Sequence, residues 1–512
     1  MILGDIVKRN ARRYPHKPAL IFHEVRLSFA EFYRRVNSMA NGLRGLGMNQ
    51  GDRVGILLDN CHQYAELYLA IPAGGGIAVP VNTALSAQEI AYILQNADVN
   101  ILVFGERLAA LAGSLQREIT TLKTLIVIGT PTPDTQGYEQ LISQYTSEEP
   151  EVSIGEQDVA CLLYTSGTTG VPKGAMITHR GMIESALNCL LACHYQHDDI
   201  VLVMTPLFWS TGILANIMPL FYTGGTVVIT DDFSTEGILE VIQKEKITVT
   251  AMAPPTAIAI AEHPGLGSYD ISSLCVIILG GGPMPLEAHK RAIKTMGNIF
   301  YKFYALSETG PASCLPPEEQ VIEGAPDKMK RLASSGREAT NIGLRVVNEE
   351  GRDVLPGQVG EVIIRGDSLT RGYWRMPQAT EEALKGGYIH TGDLASLDED
   401  GYLYLVGRKK DLIVSHGKTI YAVEVEEVIG QHTDVVEVAV MGIPQGSGEE
   451  TIKAIVVIRG GAKTAVEDIL EFCRERLPDY ACPESVTFMD KLPRNPSGKV
   501  LKRVLLERYG VD

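Results

Sequence analysis

The chain has 512 residues, 45% of them hydrophobic and 21% charged, with a formal net charge of −16. That length exceeds what a single core organises and predicts two to four structural units of an ordinary globular kind. The acidic balance excludes nucleic acid as a general partner, which would need a basic face, but it leaves room for anionic ligands held by local loops and cations.

The first ten residues already carry Asp5, Lys8 and Arg9, and they predict an amphipathic helix rather than a secretory leader. Residues 19–22, 53–58, 76–80 and 100–104 predict buried strands, and residues 29–46 and 87–96 predict helices. Each of those helices opens on a capping box, Ser28 with Glu31 and Ser86 with Glu89. The same rhythm runs from Val159 to about Lys302, with a buried strand at 275–279. Short apolar strands alternating with helices predict parallel sheets covered on both faces. Residues 200–230 form a run of 31 without a charge, broken by Pro206, Gly212, Pro219, Gly224 and Gly225. Those breaks predict strand, loop, short helix and strand lining a buried wall, not a membrane span.

From 334 to 407 strands dominate, with turns at 348–351, 355–357 and 398–401, which predicts a small and mostly antiparallel barrel or sheet. Beyond Asp411, a helix at 422–430, strands at 435–442 and 452–459 and a helix at 465–476 predict a compact α+β unit. The eight cysteines lack paired spacing, as suits a reducing cytoplasm. Cys189 and Cys193, with His194 and His197, make a metal-like cluster, but two cysteines one turn apart on a Leu- and Ala-rich helix read as core thiols.

The most chemically loaded stretch is residues 164–174, Tyr-Thr-Ser-Gly-Thr-Thr-Gly-Val-Pro-Lys-Gly, directly after the apolar strand at 158–163. Four hydroxyls (Thr165, Ser166, Thr168, Thr169), the glycines Gly167 and Gly170, and Lys173 suit a polyphosphate. Glycine lets backbone N–H groups approach anionic oxygens, hydroxyls donate further hydrogen bonds and lysine supplies charge. The spacing is not that of a Walker A loop, since Gly170 lies three residues before Lys173 and Gly174 follows it. The plain reading is a Gly/Thr-rich turn joining a strand to the next helix.

This loop resembles the phosphate-binding signature of the adenylate-forming superfamily of acyl-CoA synthetases, peptide-synthetase adenylation domains and luciferases. Further segments resemble that family in its order: 304–308 (Tyr-Ala-Leu-Ser-Glu), 388–393 (Tyr-Ile-His-Thr-Gly-Asp), 401–411 and 496–499 (Pro-Ser-Gly-Lys). The likeness runs from the first helix to Lys499. It implies an α/β fold: a large body at 1–409, made of doubly wound parallel sheets (about 1–330) and a small β-barrel or sheet (about 331–409), then a mobile α+β domain at 410–512.

The resemblance implies an AMP-forming acyl-CoA synthetase using ATP, Mg2+ and CoA, in which a carboxylate attacks the α-phosphate. An adenylating enzyme that loads a carrier protein is the alternative. Only thirteen residues follow Lys499, too few for a fused carrier domain, which favours free CoA. The implied partners are a small carboxylic acid, ATP and CoA, with a homodimer as the assembly and the cytoplasm as the compartment.

By the same resemblance Thr165, Ser166, Thr168, Thr169 and Lys173 hold the leaving phosphates. Glu308 binds magnesium, and Ser307 reaches the α-phosphate in place of the commoner threonine. Tyr304 stacks on adenine beside the Gly280, Gly281, Gly282 turn. Asp393 binds both ribose hydroxyls with Arg408 as a second contact. Lys499 neutralises the meeting of carboxylate and phosphate, Lys410 is the hinge, and Ser415, His416 and Gly417 line the thiol's approach. There the sequence departs from the family: His416 replaces a glycine, Lys418 and Thr419 replace Glu and Asn, and Ala422 replaces Pro.

The acid pocket is implied by residues 206–212, with Phe208, Trp209 and Gly212, followed by Ile213, and by Gly282 and Ala305. Trp209 stands where many relatives have histidine. Acetate-specific relatives close the floor with a tryptophan at the position of Ala305, so alanine leaves room for more than acetate. The uncharged run through Ile213 offers no partner for a second carboxylate, predicting an apolar monocarboxylic acid, short-to-medium, branched or cyclic.

Overall fold

The computed structural model of the chain describes residues 1–165, 171–282, 284–415, 418–445, 450–494 and 500–510. Contacts divide the chain into two compact units, Met1–Leu344 with Ile364–Ile389, and Arg345–Ile363 with His390–Asp512.

The first unit is built on two large sheets. The nine-stranded sheet runs Arg337–Glu338, Gly310–Leu315, Phe300–Leu306, Val276–Leu279, Val249–Met252, Ile200–Val203, Thr226–Ile229, Pro18–Phe22, Val25–Ser28. Its six central strands are parallel and its edges are antiparallel. Residues alternate between faces: Leu20, Val201, Val203 and Val227 enter one core, while Ile21, Leu202, Val228 and Ile277 enter another. Both faces are therefore buried, which is why these strands read as continuous apolar runs.

The seven-stranded sheet runs Gln136–Gly137, Thr124–Ile128, Val99–Gly105, Arg53–Leu57, Ile77–Pro80, Val159–Thr165, Lys173–Thr178, parallel except for the final pair. Helix His62–Ala73 packs against strands of both sheets, and all of its residues are buried. A helix enclosed on every side must be apolar all round or satisfy its polar groups internally. Glu66, fully buried within it, takes Arg35 Nε at 2.6 Å and the Tyr138 hydroxyl at 2.7 Å.

Local signals hold where hydrogen bonding is local. Helices Phe29–Gly45 and Ala87–Asn96 begin at Ser28 and Ser86, each with its reciprocal glutamate bond. The uncharged stretch from 200 folds as strand, helix and strand as expected. Its helix, however, starts with a π-helical segment, Thr211–Ile217, before Met218–Thr223. Cys189 and Cys193 are buried core thiols, and burial pushes the Cys189 thiol up to about 12. Among the described residues no helix is long and apolar enough to cross a membrane.

The strands Ile342–Val347, Gly360–Gly366, Leu384–Lys385, Tyr388–Leu397 and Leu403–Arg408 form a five-stranded sheet, the small β element expected from the turn-rich sequence. In the second unit, Val435–Pro444, Glu450–Ile458 and Ser485–Phe488 form a mixed three-stranded sheet. Helices Ala422–Ile429 and Val466–Arg474 cover one face through Val425, Ile429, Ile469 and Cys473, and helix Lys502–Tyr509 adds Leu505 to the other.

Candidate active site

Parallel sheets offer ligands the crevice beyond the carboxyl ends of their strands. In the nine-stranded sheet, Val276–Leu279 and Phe300–Leu306 are adjacent and in register, Leu279 beside Lys302. The Gly280–Gly282 turn and the segment Tyr304–Glu308 thus leave the sheet side by side. Strand Ile200–Val203, in the same parallel set, feeds residues 206–212 at the same end. The three segments expected to shape the acid and adenine pockets converge there because parallel pairing places their carboxyl ends together.

Each of these segments has a local reason for its shape. A Cβ added at Gly280, Gly281 or Gly282 would meet nothing within 4 Å, and Gly281 has φ +86°. Their side of the turn is open space into which a flat ligand can settle. Strand Phe300–Leu306 changes register between Tyr304 and Ala305, a bulge that re-aims the side chains beyond it. Tyr304 is buried and Ala305 exposed. Phe208 and Trp209, both half-buried, meet edge to face at 5.7 Å. Gly212 is a packing glycine, since a Cβ there would come within 3.2 Å of the Leu207 Cα, and Ile213 is fully buried. The Ser307 hydroxyl donates to the Ser210 hydroxyl at 3.1 Å, tying the glutamate segment to the aromatic loop.

The phosphate-loop sequence does not join a strand to a helix, correcting the plain reading of that turn. It closes a β-hairpin, in which Val159–Thr165 pairs antiparallel with Lys173–Thr178, placing Thr165 opposite Lys173 and Tyr164 opposite Gly174. The helix follows only at His179. A Cβ on Gly174 would come 3.0 Å from the Tyr164 ring, so glycine is what lets that ring lie across the hairpin.

Glu308 lies at the meeting of these elements. Its Oε1 accepts from the Thr165 hydroxyl at 3.3 Å and the Tyr373 hydroxyl at 3.1 Å, and its carbonyl accepts from the Thr370 N–H at 2.7 Å. Among the described residues no cation pairs with this carboxylate and none donates a hydrogen bond to Oε2. An anionic oxygen held open by neutral hydroxyls fits a hard divalent cation such as Mg2+. Lys173 Nζ sits 5.2 Å above the Tyr373 ring. Tyr373 was not expected from the sequence, where it lies in an Arg-Gly-Tyr-Trp run at 371–374.

Within the second unit, Asp393 and Arg408 face each other on paired strands, with Arg408 Nε donating to Asp393 Oδ1 at 2.8 Å. The turn before Asp393 is braced by Glu361, which takes the Gly392 N–H at 3.1 Å and contacts His390 Nδ1 at 3.2 Å. Gly392 has φ +70°, which glycine tolerates without strain. Lys410 lies in the short 3₁₀ turn Lys409–Asp411, and Ser415 ends the strand Leu412–Ser415 with its residue buried.

The structure therefore brings Thr165, Lys173, Ser307 and Glu308 together in the first unit, and Asp393 with Arg408 in the second. Ser166, Gly167, Thr168, Thr169, Gly170, His416, Gly417 and Lys499 lie outside the described residues.

Residues 7–374 match the AMP-binding enzyme family, and residues 424–499 match the AMP-binding enzyme C-terminal domain. The chain is 34% identical over 513 residues to a feruloyl-CoA synthase of an Amycolatopsis species, covering 99% of both proteins. It is 30% identical over 541 residues to a long-chain-fatty-acid–CoA ligase of Bacillus subtilis, covering 99% of this chain and 94% of that one. Among solved structures, ATP-bound MatB from Rhodopseudomonas palustris superposes with a TM-score of 0.90 at 27% identity, covering 100% of this chain and 99% of that one.

Proposed function

As a member of the AMP-binding enzyme family, this chain is an AMP-forming carboxylate–CoA ligase, and we propose that its acid is an apolar monocarboxylate, short-to-medium, branched or cyclic. A carboxylate oxygen attacks the α-phosphorus of ATP, forming the acyl–phosphate bond of acyl-AMP and expelling pyrophosphate. The CoA thiol then attacks the acyl carbon, forming the thioester as AMP leaves and the thiol proton passes to solvent.

Two anions meet in the first step, so neutralisation dominates the barrier. Thr165, Ser166, Thr168, Thr169 and Lys173 hold the departing phosphates, and Gly167 and Gly170 belong to the same phosphate-binding signature. Ser307 donates to the α-phosphate, and Lys499 supplies charge at the carboxylate. When bound with ATP, Mg2+ would be held by Glu308 and would offset phosphate charge. Tyr304 covers the adenine face at the Gly280–Gly282 turn, and Asp393 accepts from the ribose hydroxyls with Arg408 beside it. Lys410 is the pivot that exchanges Lys499 for a thiol channel formed by Ser415, His416 and Gly417, so that residues 410–512 move against 1–409.

One observation supports this reading above the others: the Thr165–Glu308 contact at 3.3 Å joins the phosphate loop to the glutamate segment, as a shared polyphosphate–metal site requires. For the acid, the wall of Phe208, Trp209, Gly212 and Ile213 is uncharged and Ala305 is small, which supports an apolar group larger than acetate. Eight free cysteines support a reducing cytoplasm, and sedimentation tests the homodimer. The function is tested by pyrophosphate exchange over a panel of acids, followed by trapping with CoA. AMP and pyrophosphate are the expected products, and ADP with phosphate would overturn the assignment.

A further inference from the structure

We propose that Tyr373 is a positioning residue for adenylation, holding the Glu308 carboxylate and the Lys173 ammonium at a fixed spacing before ATP arrives. The proposal rests on the reading of Glu308 as the metal-binding carboxylate and of Lys173 as a phosphate contact.

The geometry is two-sided. The Tyr373 hydroxyl donates to Glu308 Oε1 at 3.1 Å, and its ring lies 5.2 Å below Lys173 Nζ. Thr165 donates to the same oxygen, so both hydroxyls turn Oε2 outward. The ring in turn gives Lys173 an uncharged seat, where a carboxylate would compete with phosphate for the ammonium.

Tyr373 can do this because its backbone is locked. It forms an antiparallel bridge with Ala175, and the flanking pairs run Trp374 N–H to Gly174 carbonyl at 2.8 Å and Met176 N–H to Gly372 carbonyl at 2.9 Å. Segment 371–374 thus adds a short strand to the outgoing arm of the phosphate hairpin. Beyond it, the Arg53 guanidinium stacks over Trp374 at 5.5 Å and Arg375 pairs with Asp98. On the other side, the Thr370 N–H clasps the Glu308 carbonyl and the Ser368 hydroxyl donates to the Thr309 carbonyl at 2.7 Å. One continuous stretch therefore grips both the hairpin and the glutamate segment, and Tyr373 is the side chain that bridges them.

The test uses the full-length protein and three variants. Tyr373→Phe removes one hydroxyl and keeps the ring and the backbone ladder, Tyr373→Leu also removes the ring, and Glu308→Gln tests the underlying reading. Affinity for Mn2+ in the presence of α,β-methylene-ATP is read from the free-Mn2+ paramagnetic signal. Pyrophosphate exchange gives KM for ATP and the Mg2+ requirement.

For Tyr373→Phe, Mn2+ binding weakens and the Mg2+ requirement rises by about 10–150-fold, the scale of one hydrogen bond to a charged group, with KM for ATP within about 2-fold. Tyr373→Leu adds a rise of about 3–10-fold in KM for ATP as Lys173 loses its seat. If Glu308→Gln weakens Mn2+ binding but Tyr373→Phe leaves it unchanged, the positioning role is overturned. If Glu308→Gln itself changes nothing, the reading of Glu308 fails and the proposal fails with it. A purely structural role predicts a lower melting temperature with unchanged metal affinity, and that result also refutes it.

Discussion

Asp393→Asn distinguishes a carboxylate that only pairs with Arg408 from one that also binds ribose. The Asp393 side chain is 8% exposed and Arg408 is 27% exposed, with Nε and Oδ1 2.8 Å apart. Breaking a fully buried pair costs about 3–5 kcal/mol, but a guanidinium with this much access to water is rehydrated, so about 1–2 kcal/mol of stability is expected to be lost. On the ligand side, a hydroxyl donating to a carboxylate is worth about 1.5–3 kcal/mol, and an amide retains one of two acceptor oxygens. Loss of one such bond raises KM for ATP by about 10–150-fold. The assay is pyrophosphate exchange with ATP and with 2′- and 3′-deoxy-ATP, on wild type and variant. Wild type should discriminate against one deoxy analogue by about tenfold or more, and Asp393→Asn by less than about threefold, giving a coupling above about 0.7 kcal/mol. Acyl-AMP supplied ready-made should also bind the variant more weakly in the thiol step. Additive losses in the cycle would refute the ribose role and leave Asp393 as a partner of Arg408 alone.

Ala305→Trp should shift kcat/KM across a series of acids toward acetate and propionate with ATP affinity nearly unchanged, because Ala305 is exposed beyond the strand bulge; an unchanged acid profile would show that it does not line the pocket. Lys499→Ala should slow acyl-AMP formation by about 10²–10³-fold, the scale of one preorganised electrostatic contact, while changing thioester formation from acyl-AMP by less than about tenfold. Lys410→Pro should do the reverse, and single-turnover measurement of each step decides both, equal losses in the two steps arguing against a pivot. His62, His179 and His289 are each pushed down to about 4, chiefly by burial. Neutral in the fold and titrating near 6.5 when unfolded, each contributes stability that is complete above about pH 6.5 and is lost as pH falls toward 4, by about 1–3 kcal/mol per group. His179 accepts the Leu3 N–H at Nδ1, so His179→Asn should flatten the fall in urea midpoint between pH 7 and pH 5, and an unaltered slope would count against it.

What the sequence determined by itself is what short-range chemistry carries. The capping boxes at Ser28 and Ser86 close within one turn, so their helices start where the residues say. Doubly buried strands such as Ile200–Val203 and Val276–Leu279 are legible because an apolar run too short for a helix has few other fates. The grouping of hydroxyls, glycines and Lys173 announces an anion because its donors lie within eleven residues.

Tertiary structure decided what depends on pairing between distant segments. Whether residue 173 begins a return strand or leads to a helix is settled by Thr165 lying opposite Lys173 and by the 371–374 segment closing on its far edge. No pattern within the loop encodes those hydrogen bonds. The π-helical turn at 211–217 likewise reflects packing on all sides rather than a local period. Tyr373 was illegible for the same reason: it lies 65 residues from Glu308 in sequence. Only the sheet edge, by fixing the backbone on either side of it, brings a phenol to a carboxylate that no local motif links to it.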